Sequence, residues 1–307
     1  MKNLTLKQLR YFEALMRHGH FGRAADACAI SQPALSLQIK EMEASLGIPL
    51  FERTAREVRP TAFGRDIAAR TREILRAVDD LADLARAAQA QSRGQLRLGI
   101  IPTIAPYLLP ALIGRLAVEK PHLDMHIRET LTEKLIEELK DGRLDAAIVA
   151  LPVSEASLLE TPLLEEAFVL VRPAQDADLP VPGGEALRRM RLLLLEEGHC
   201  FRDQALSFCG MRPNLPSEGL DGSSLTTLVQ MVGAGIGVTL IPEMAVPIET
   251  RSADVCIARF QAPGPRRTIG MVWRKSNPMA EQLLQIAEVV KQSVETLDGL
   301  PMREVQT

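Results

Sequence analysis

The sequence predicts an α/β protein with a small helical head, one long linking helix and an α/β body of two subdomains. Three observations predict it: helical apolar spacing near the N-terminus, a proline-free stretch over 61–91, and alternating strand and helix signals after residue 95. At 307 residues the chain suffices for about two domains with separate cores. We therefore divide it into a head (1–60), a linker helix (61–91), a hinge (92–94) and a body (95–307).

The head contains three predicted helices. Apolar residues at helical spacing predict the first, and a short second helix covers 21–27. Ser31 caps a third helix, which ends at Gly47. Two helices joined by a short turn form a helix-turn-helix unit, whose polar side chains are suited to bases and phosphates. The candidate DNA-binding residues of the third helix are Ser31, Gln32, Pro33, Ser36, Gln38 and Lys40.

The segment after the third helix is basic and extended. Arg53, Arg56 and Arg59 lie on a stretch, 51–60, that resembles a hairpin wing with phosphate-directed arginines. Residues 1–60 carry nine Lys/Arg against six Asp/Glu, a net charge of +3. Because the whole chain has a net charge of −3, the remaining residues together carry −6. A basic end on an acidic body indicates a polyanion partner such as double-stranded DNA. The alternative is a small helical subdomain with a solvated basic face.

The proline-free linker, 61–91, is predicted to form one helix about 45 Å long. Its apolar positions alternate steps of four and three, which is the pattern of a coiled-coil seam. They are Ile67, Thr71, Ile74, Val78, Leu81, Ala85 and Ala88. A helix with one apolar stripe and no domain to bury it against is expected to pair with its twin in a second chain.

The body alternates strand-like and helix-like segments, which favours two small α/β subdomains with a cleft between them. The predicted strands are 95–101, 124–129, 145–150, 167–171, 191–195, 238–241 and 268–273. The predicted helices are 106–119, 132–141, 203–209, 223–232 and 279–296. The glycines at 233, 235 and 237 follow a helix and precede a strand, the reverse of a dinucleotide-binding loop.

Composition excludes several classes of protein. Four cysteines are too few for a disulfide scaffold and fit a reducing, cytoplasmic environment. The N-terminus has no apolar signal-peptide core. The uncharged stretch 222–242 holds many hydroxyl residues and glycines, so we expect a buried helix and strand and no membrane span. No Cys/His cluster has zinc spacing, so we expect no metal and no cofactor.

One pair of cysteines stands out. Cys200 follows an apolar strand-like run and opens the next helix, where the helix N-terminus with His199 and Arg202 nearby favours a reactive thiolate. Cys209 lies among apolar residues, which suits a buried thiol. If the chain between them is helical, their Cα atoms lie about 13 Å apart on opposite faces, beyond the roughly 7 Å that a disulfide spans. The pair is therefore a candidate redox switch that needs the helix to unwind.

The head resembles the LysR-type transcriptional regulators. The resemblance is carried by Phe21-x-x-Ala24-Ala25, Ser31-Gln32-Pro33-Ala34-Leu35-Ser36 and Leu46-Gly47-x-x-Leu50-Phe51-x-Arg53. It spans the whole chain and implies a winged helix-turn-helix head, a linker helix and a periplasmic-binding-protein-like effector domain. Three body segments resemble the peroxide-sensing members of that family. They are Gly198-His199-Cys200-x-Arg202-Asp203-Gln204-Ala205 with Cys209, Ile101-Pro102-Thr103-x-x-Pro106-Tyr107-Leu108-Leu109-Pro110, and Pro265-Arg266-Arg267-Thr268-Ile269-Gly270.

This resemblance implies specific roles for residues. Cys200 would react with hydrogen peroxide and Cys209 would resolve the sulfenic acid as a disulfide. The peroxide pocket would be shaped by Thr103, Thr132, His199, Arg202 and Asp203. Hydroxyl and cationic donors suit the negative charge that develops on the departing oxygen. For Thr132 helix capping is the alternative, since Thr130-x-x-Glu133 fits a capping box.

The implied partners are operator DNA, hydrogen peroxide, other copies of the chain in a tetramer, RNA polymerase and a thiol reductant. Two other functions compete with a peroxide-sensing regulator. One keeps the DNA-binding fold but takes a small organic effector in the cleft, with the cysteines incidental. The other is a thiol peroxidase, which would turn over many equivalents of peroxide, whereas a sensor saturates at about one per chain. A DNA-reading head and a dimerising linker serve no purpose in such turnover.

Overall fold

The structure, a computed structural model, describes residues 4–53, 58–211 and 221–295. Its contacts divide the chain into two compact units, Met1–Ala85 and Arg86–Thr307. Each unit has a hydrophobic cluster of its own, one in the head and one in the body. None of the helices in the described ranges combines the length and apolar content that a membrane crossing requires.

The head is built on three helices, as predicted. They are α1 (Leu6–His18), α2 (Phe21–Ala27) and α3 (Gln32–Leu46). The Ser31 side chain accepts a hydrogen bond from the backbone of α3, and Gly47 ends the helix at φ +73°, a conformation that glycine adopts without strain. The interior side chains are fully buried: Phe12, Leu15, Leu35, Ile39 and Met42. The predicted cap and end of α3 are confirmed.

A two-stranded antiparallel hairpin follows α3. It consists of β1 (Phe51–Arg53) and β2 (Val58–Pro60), with Phe51 opposite Pro60. This confirms the predicted extended segment for 51–53 and 58–60, while 54–57 lie outside the described residues. Arg56 lies outside the described residues, and so does the side chain of Arg53.

The linking helix, α4 (Ala62–Arg93), is 32 residues long, or about 48 Å at 1.5 Å per residue. It continues through Ser92 and Arg93, so assigning these two residues to a hinge was wrong. The chain turns at Gly94, where φ is +63°. A Cβ at this position would lie 2.4 Å from the carbonyl oxygen of His122, so only glycine fits.

The apolar stripe of α4 does not form one continuous exposed seam. Thr71 is buried, and Ile67 packs against the hydrophobic cluster of the head. Ile74 and Leu81, further along, are 47% and 67% exposed. The expectation that no domain buries this stripe is therefore wrong for its first turns, because the head covers them. Pairing of the exposed part with a second chain remains a prediction.

The body is an α/β unit around a mixed sheet. Its strands are β3 (Gln95–Ile100), β4 (Asp124–Glu129), β5 (Ala146–Leu151), β6 (Leu158–Pro173), β7 (Leu192–Leu195), β8 (Asp221–Gly222), β9 (Val238–Pro242), β10 (Val255–Arg259) and β11 (Arg266–Arg274). Its helices are α5 (Ala105–Glu119), α6 (Thr132–Lys140), α7 (Gly184–Leu187), α8 (Cys200–Phe208), α9 (Leu225–Gly233), α10 (Val246–Glu249) and α11 (Ala280–Glu295).

One long strand, β6, joins the two halves of the body. Over the described residues the order is β4-β3-β5-β11-β6-β9-β7-β8, with β10 also paired to β6. The first part of β6 pairs with β11, and its last part pairs with β9 and β10. The 16-residue β6 therefore runs through both subdomains, where the sequence predicted only a short strand over 167–171. Its first half is interrupted by Glu160-Thr161-Pro162 and Glu165-Glu166, so it has neither a continuous apolar run nor strict alternation.

The redox helix also differs from its predicted extent. It was predicted over 203–209, but α8 begins at Cys200. This first turn matters for function because it makes Cys200 the first helical residue.

Candidate functional site

A cavity of about 380 Å³ lies in the body. It is bordered by the chain after β3, by the end of β4, by the loop after β7 and by the start of α9. The carboxyl ends of neighbouring parallel strands meet here, which is where open α/β sheets bind ligands. Its lining is rich in hydroxyl groups and also includes two glutamates. The polar lining residues are Thr103, Tyr107, Glu129, Thr130, His199, Ser223, Ser224, Thr226 and Glu249.

The two candidate redox cysteines lie at opposite ends of α8. Cys200 is partly buried at its start, and Cys209, 2% exposed, follows its last residue. Both thiols are free. A helical path of nine residues separates their Cα atoms by about 13 Å, too far for a disulfide. Burial raises the pKa of the Cys209 thiol, so this cysteine is protonated at neutral pH.

Cys200 adjoins the cavity through its neighbour His199, which is part of the cavity lining, whereas Cys200 itself is not. Burial lowers the pKa of His199, with Glu196 opposing the shift. The neutral imidazole is therefore favoured at neutral pH. The expectation that His199 supplies a cation beside the thiol is not supported.

Arg202 is 3% exposed and does not itself line the cavity. Its Nη1 donates to the carbonyl oxygen of Leu195 at 2.7 Å and to Oδ1 of Asp221 at 3.0 Å. It therefore anchors the first turn of α8 to the ends of β7 and β8. Asp203 is exposed and does not line the cavity either. Of the five predicted pocket residues, Thr103 and His199 line the cavity.

Thr132 does not act as a helix cap. The residue before α6 is Leu131, and no side chain caps this helix end, so the capping box over Thr130 and Glu133 was wrong. The Oγ1 atom of Thr132 is buried and has no hydrogen-bond partner among the described residues. A buried hydroxyl without a partner costs free energy that a small polar ligand or a water would recover. Thr132 does not line the cavity, so its pocket role stays a prediction, which this buried hydroxyl without a partner favours.

Sequence reasoning missed a buried ion pair beside Thr103. Arg267 and Glu166 face each other across β11 and β6, and both side chains are 0% exposed. Arg267 Nη1 donates to Thr103 Oγ1 at 2.8 Å and Nη2 donates to the Thr103 carbonyl at 3.0 Å. Burial raises the pKa of Glu166, while the Arg267 guanidinium and the Met244 amide oppose the rise. The sequence signal that could have revealed this pair is Arg267 itself, an arginine at an inward position of the otherwise apolar strand β11. A buried charge of this kind needs a partner of opposite charge.

A second missed contact crosses the cavity. Tyr107, on α5, donates its hydroxyl to Glu249 Oε1, on α10, at 2.7 Å. Both residues are buried and line the cavity. Burial raises the pKa of Tyr107, and the hydrogen bond to Glu249 raises it further. The pair joins elements that are 142 residues apart.

The candidate DNA surface lies on the first turns of α3. Gln32, Pro33 and Lys40 are exposed, and Ser36 is half-buried. Ser31 is used as the cap, accepting from the backbone of Ala34. Gln38 donates to Glu41 at 2.8 Å, so it is partly committed within the helix.

Sequence reasoning missed one apolar member of this surface. Leu37, on α3, is 55% exposed. A large exposed apolar side chain between polar ones suits contact with a thymine methyl group.

The other cysteines have ordinary packing roles. Cys28 packs against the hydrophobic cluster of the head. Burial raises the pKa of its thiol, and the negative charge of Glu13 raises it further. The Cys256 thiol donates to the carbonyl oxygen of Pro173 at 3.4 Å. In the described ranges no group of His, Cys, Asp or Glu has the arrangement of a metal site.

Known proteins resemble this chain along its whole length. Residues 6–65 match the bacterial regulatory helix-turn-helix protein, lysR family, and residues 89–295 match the LysR substrate binding domain. A probable hydrogen peroxide-inducible genes activator of Streptomyces viridosporus is 40% identical, over 98% of this chain and 97% of its own length. Escherichia coli OxyR, a DNA-binding transcriptional dual regulator, is 39% identical, over 94% of this chain and 95% of its own length. The hydrogen-peroxide-bound structure of a Corynebacterium glutamicum OxyR cysteine mutant is 35% identical, with a TM-score of 0.64, over 96% of this chain and 94% of that one.

Proposed function

Because the chain belongs to the LysR family of bacterial transcriptional regulators, we propose that it is a DNA-binding regulator that senses hydrogen peroxide and controls oxidative-stress genes. The switch is a reversible disulfide between Cys200 and Cys209. The observation that carries the proposal is the placement of two free thiols at the two ends of α8, with the first next to a hydroxyl-lined cavity. The names of the relatives support the same function.

The chemistry proceeds in two steps. The Cys200 thiolate attacks one oxygen of peroxide, the O–O bond breaks, and the other oxygen takes a proton and leaves as water. The sulfur is then a sulfenic acid. The Cys209 thiol attacks this sulfur, a second water leaves, and the disulfide forms. Two thiols have lost two electrons and one peroxide has become two waters. Thr103 and Thr132 supply hydroxyl groups of the kind that stabilises the departing oxygen.

The disulfide requires α8 to unwind. The Cα atoms of Cys200 and Cys209 must come within about 7 Å of each other, which they cannot do while the segment between them is helical. Three buried apolar side chains of the helix, Phe201, Ala205 and Leu206, must then repack. This cost favours the dithiol, so the disulfide is comparatively easy for a thiol reductant to reverse. The remodelled segment changes the surface by which effector domains pair, and with it the spacing of the DNA-binding heads.

The head and linker supply the output. The first turns of α3 enter the major groove, with Gln32 and Ser36 near the bases, and Arg53 and Arg56 contact phosphate or the minor groove. The exposed Ile74 and Leu81 of α4 pair two chains, and effector domains pair separately to give a tetramer. The assembly acts on RNA polymerase at promoters in the cytoplasm.

A second candidate is a regulator that binds a small organic effector. The size of the cavity favours it, because about 380 Å³ exceeds the roughly 30 Å³ that a water occupies in the liquid. Such a regulator would respond without Cys200. A thiol peroxidase is disfavoured by membership of a regulator family.

The deciding experiment treats the reduced full-length protein with hydrogen peroxide and follows each thiol by mass spectrometry. We expect about one equivalent consumed per chain, a Cys200–Cys209 disulfide, and a changed footprint on operator DNA. Cys200→Ser should abolish the response, whereas Cys209→Ser should stop at the sulfenic acid. Cys256→Ser, the matched control, should respond like the wild type. A full peroxide response in Cys200→Ser would refute the proposal, and a footprint change with a small organic molecule in that variant would support the second candidate.

A further inference from the structure

The carboxylate of Glu166 is enclosed by hydrogen-bond donors. Arg267 Nε and Nη2 lie 2.8 and 2.7 Å from its Oε2, and the Met244 amide donates to its Oε1 at 2.9 Å. The side chains of Glu166 and Arg267 are 0% exposed. Each hydrogen-bond partner of this carboxylate among the described residues is a donor, so both carboxylate oxygens act as acceptors.

The same guanidinium holds Thr103 from its other edge. Nη1 donates to Oγ1 of Thr103 at 2.8 Å, and Nη2 donates to the Thr103 carbonyl at 3.0 Å. The guanidinium also lies 5.4 Å from the ring of Phe201, the residue after Cys200. Because a guanidinium is planar, its orientation on Glu166 determines where Nη1 points. Glu166 therefore controls the geometry at Thr103 without touching it.

This geometry decides the direction of the Thr103 hydroxyl proton. A guanidinium has only donors, so Thr103 Oγ1 must accept from Arg267 and cannot donate to it. Thr103 lines the cavity, and its hydroxyl has no other partner among the described residues. The O–H is therefore free to donate into the cavity.

We propose that Glu166 is a positioning residue which, through Arg267, sets the Thr103 hydroxyl as a donor to the oxygen that departs from peroxide. This inference rests on the proposed peroxide-sensing function. In the step concerned, the Cys200 thiolate forms a bond to one oxygen and the O–O bond breaks. The departing oxygen carries the negative charge, which the Thr103 O–H stabilises until a proton from solvent completes a water molecule.

Glu166→Gln is the sharpest change, since the shape of the side chain is kept. A glutamine has one acceptor oxygen where three donors converge, so either Arg267 or the Met244 amide loses its partner. The guanidinium of Arg267 then shifts, and the Thr103 hydroxyl is no longer held in one orientation. Glu138→Gln is the matched control: Glu138 is also a buried glutamate paired with an arginine, but that arginine, Arg128, is 48% exposed and does not contact Thr103.

The test compares two reactions of Cys200 in the reduced full-length protein. One is oxidation by hydrogen peroxide, and the other is alkylation by iodoacetamide, which needs a nucleophilic thiolate but no stabilised leaving oxygen. We expect Glu166→Gln to slow oxidation about tenfold, less than the 10²–10³ lost with a whole oxyanion donor, and to leave alkylation within about twofold. Glu138→Gln should change neither rate. In a Thr103→Val background, Glu166→Gln should cause no further loss.

An equal loss of both rates, or unchanged oxidation, would overturn the inference, as would a full further loss in the Thr103→Val background. If Glu166→Gln does not fold, Arg267→Lys provides the same comparison, because a lysine lacks the fork that reaches both partners. A wild-type protein whose Cys200 resists peroxide would instead refute the proposed function itself.

Discussion

Nη1 of Arg202 donates to the carboxylate of Asp221 at 3.0 Å, and the same nitrogen donates to the carbonyl oxygen of Leu195. Asp221 belongs to β8, which pairs with β7 through Leu194. The first turn of the redox helix is thereby anchored to two strands. Because unwinding of α8 would break this anchor, the anchor stabilises the dithiol form, and its removal should shift the redox equilibrium.

We expect Asp221→Asn to make the Cys200–Cys209 disulfide harder to reduce. A hydrogen bond between charged groups contributes about 1.5–3 kcal/mol when buried, and the partial exposure of Asp221 lowers this to about 1 kcal/mol. At about 30 mV per 1.4 kcal/mol, the midpoint potential should move about 20 mV more negative. A glutathione redox titration measures it. Glu185→Gln, in an exposed ion pair with Arg189, is the control and should not shift the potential. A shift to a less negative value in Asp221→Asn would contradict the anchoring role.

Tyr107 should make the body less stable at alkaline pH. Its raised pKa means that the folded chain retains the phenol proton at pH values where the unfolded chain, with a tyrosine pKa of about 10, has lost it. The stability it contributes is complete below about pH 10 and is lost as pH rises through the folded pKa. Tyr107→Phe should therefore be about 2 kcal/mol less stable at neutral pH but lose less stability above pH 10.

Urea unfolding at several pH values, followed by the fluorescence of the buried Trp273, measures this effect within the body. Tyr11→Phe, in the head, should keep the alkaline loss of the wild type. Identical alkaline losses in the wild type and Tyr107→Phe would show that the Tyr107–Glu249 hydrogen bond is not the cause.

Replacing both Ile74 and Leu81 with Asp should separate paired chains, because two charges would enter an apolar contact. Sedimentation measurements at micromolar concentration should show smaller particles, and circular dichroism should show that the body remains folded. Arg70→Ala, at an exposed position of the same helix, should leave assembly unchanged. A wild type that is already monomeric at this concentration would count against pairing through α4.

The DNA-binding head should divide its work between bases and phosphates. Gln32→Ala should alter sequence preference, while Arg56→Ala should weaken all sequences alike and reduce the salt slope by about one unit. Binding to operator and scrambled DNA over a range of salt concentrations measures both effects. Arg189→Ala, an exposed arginine of the body, serves as the control for net charge. Equal changes of sequence preference in the two head variants would contradict the division.

Short-range signals predicted the helix boundaries that depend on neighbouring residues. The cap at Ser31 and the end at Gly47 are decided within about one turn of chain, so the sequence was sufficient. The Thr130-x-x-Glu133 pattern failed because α6 begins one residue later than a capping box requires, with Leu131 at the cap position. A capping motif specifies possible hydrogen bonds, and the packing of the following helix decides whether they form.

Residues 200 and 209 could be predicted as a candidate redox pair from their types and spacing, because a helical path between two cysteines has a known length. Apolar periodicity likewise predicted most strands and helices in their observed order, but β8, β10, α7 and α10 were not among the predicted elements. The support around the pair could not be predicted. Thr103 and Arg267 are 164 residues apart, and Glu166 and Arg267 are 101 residues apart.

The sequence by itself determined the family, the order of the elements and the two thiols. Only the tertiary structure decided that Arg202 turns to Asp221 and that Arg267 joins Glu166 to Thr103. Periodicity, capping and turn signals act over a few residues and can be read along the chain. The partner of a buried charge depends on strand register and on how the sheet closes, and these are settled only when distant segments pack together.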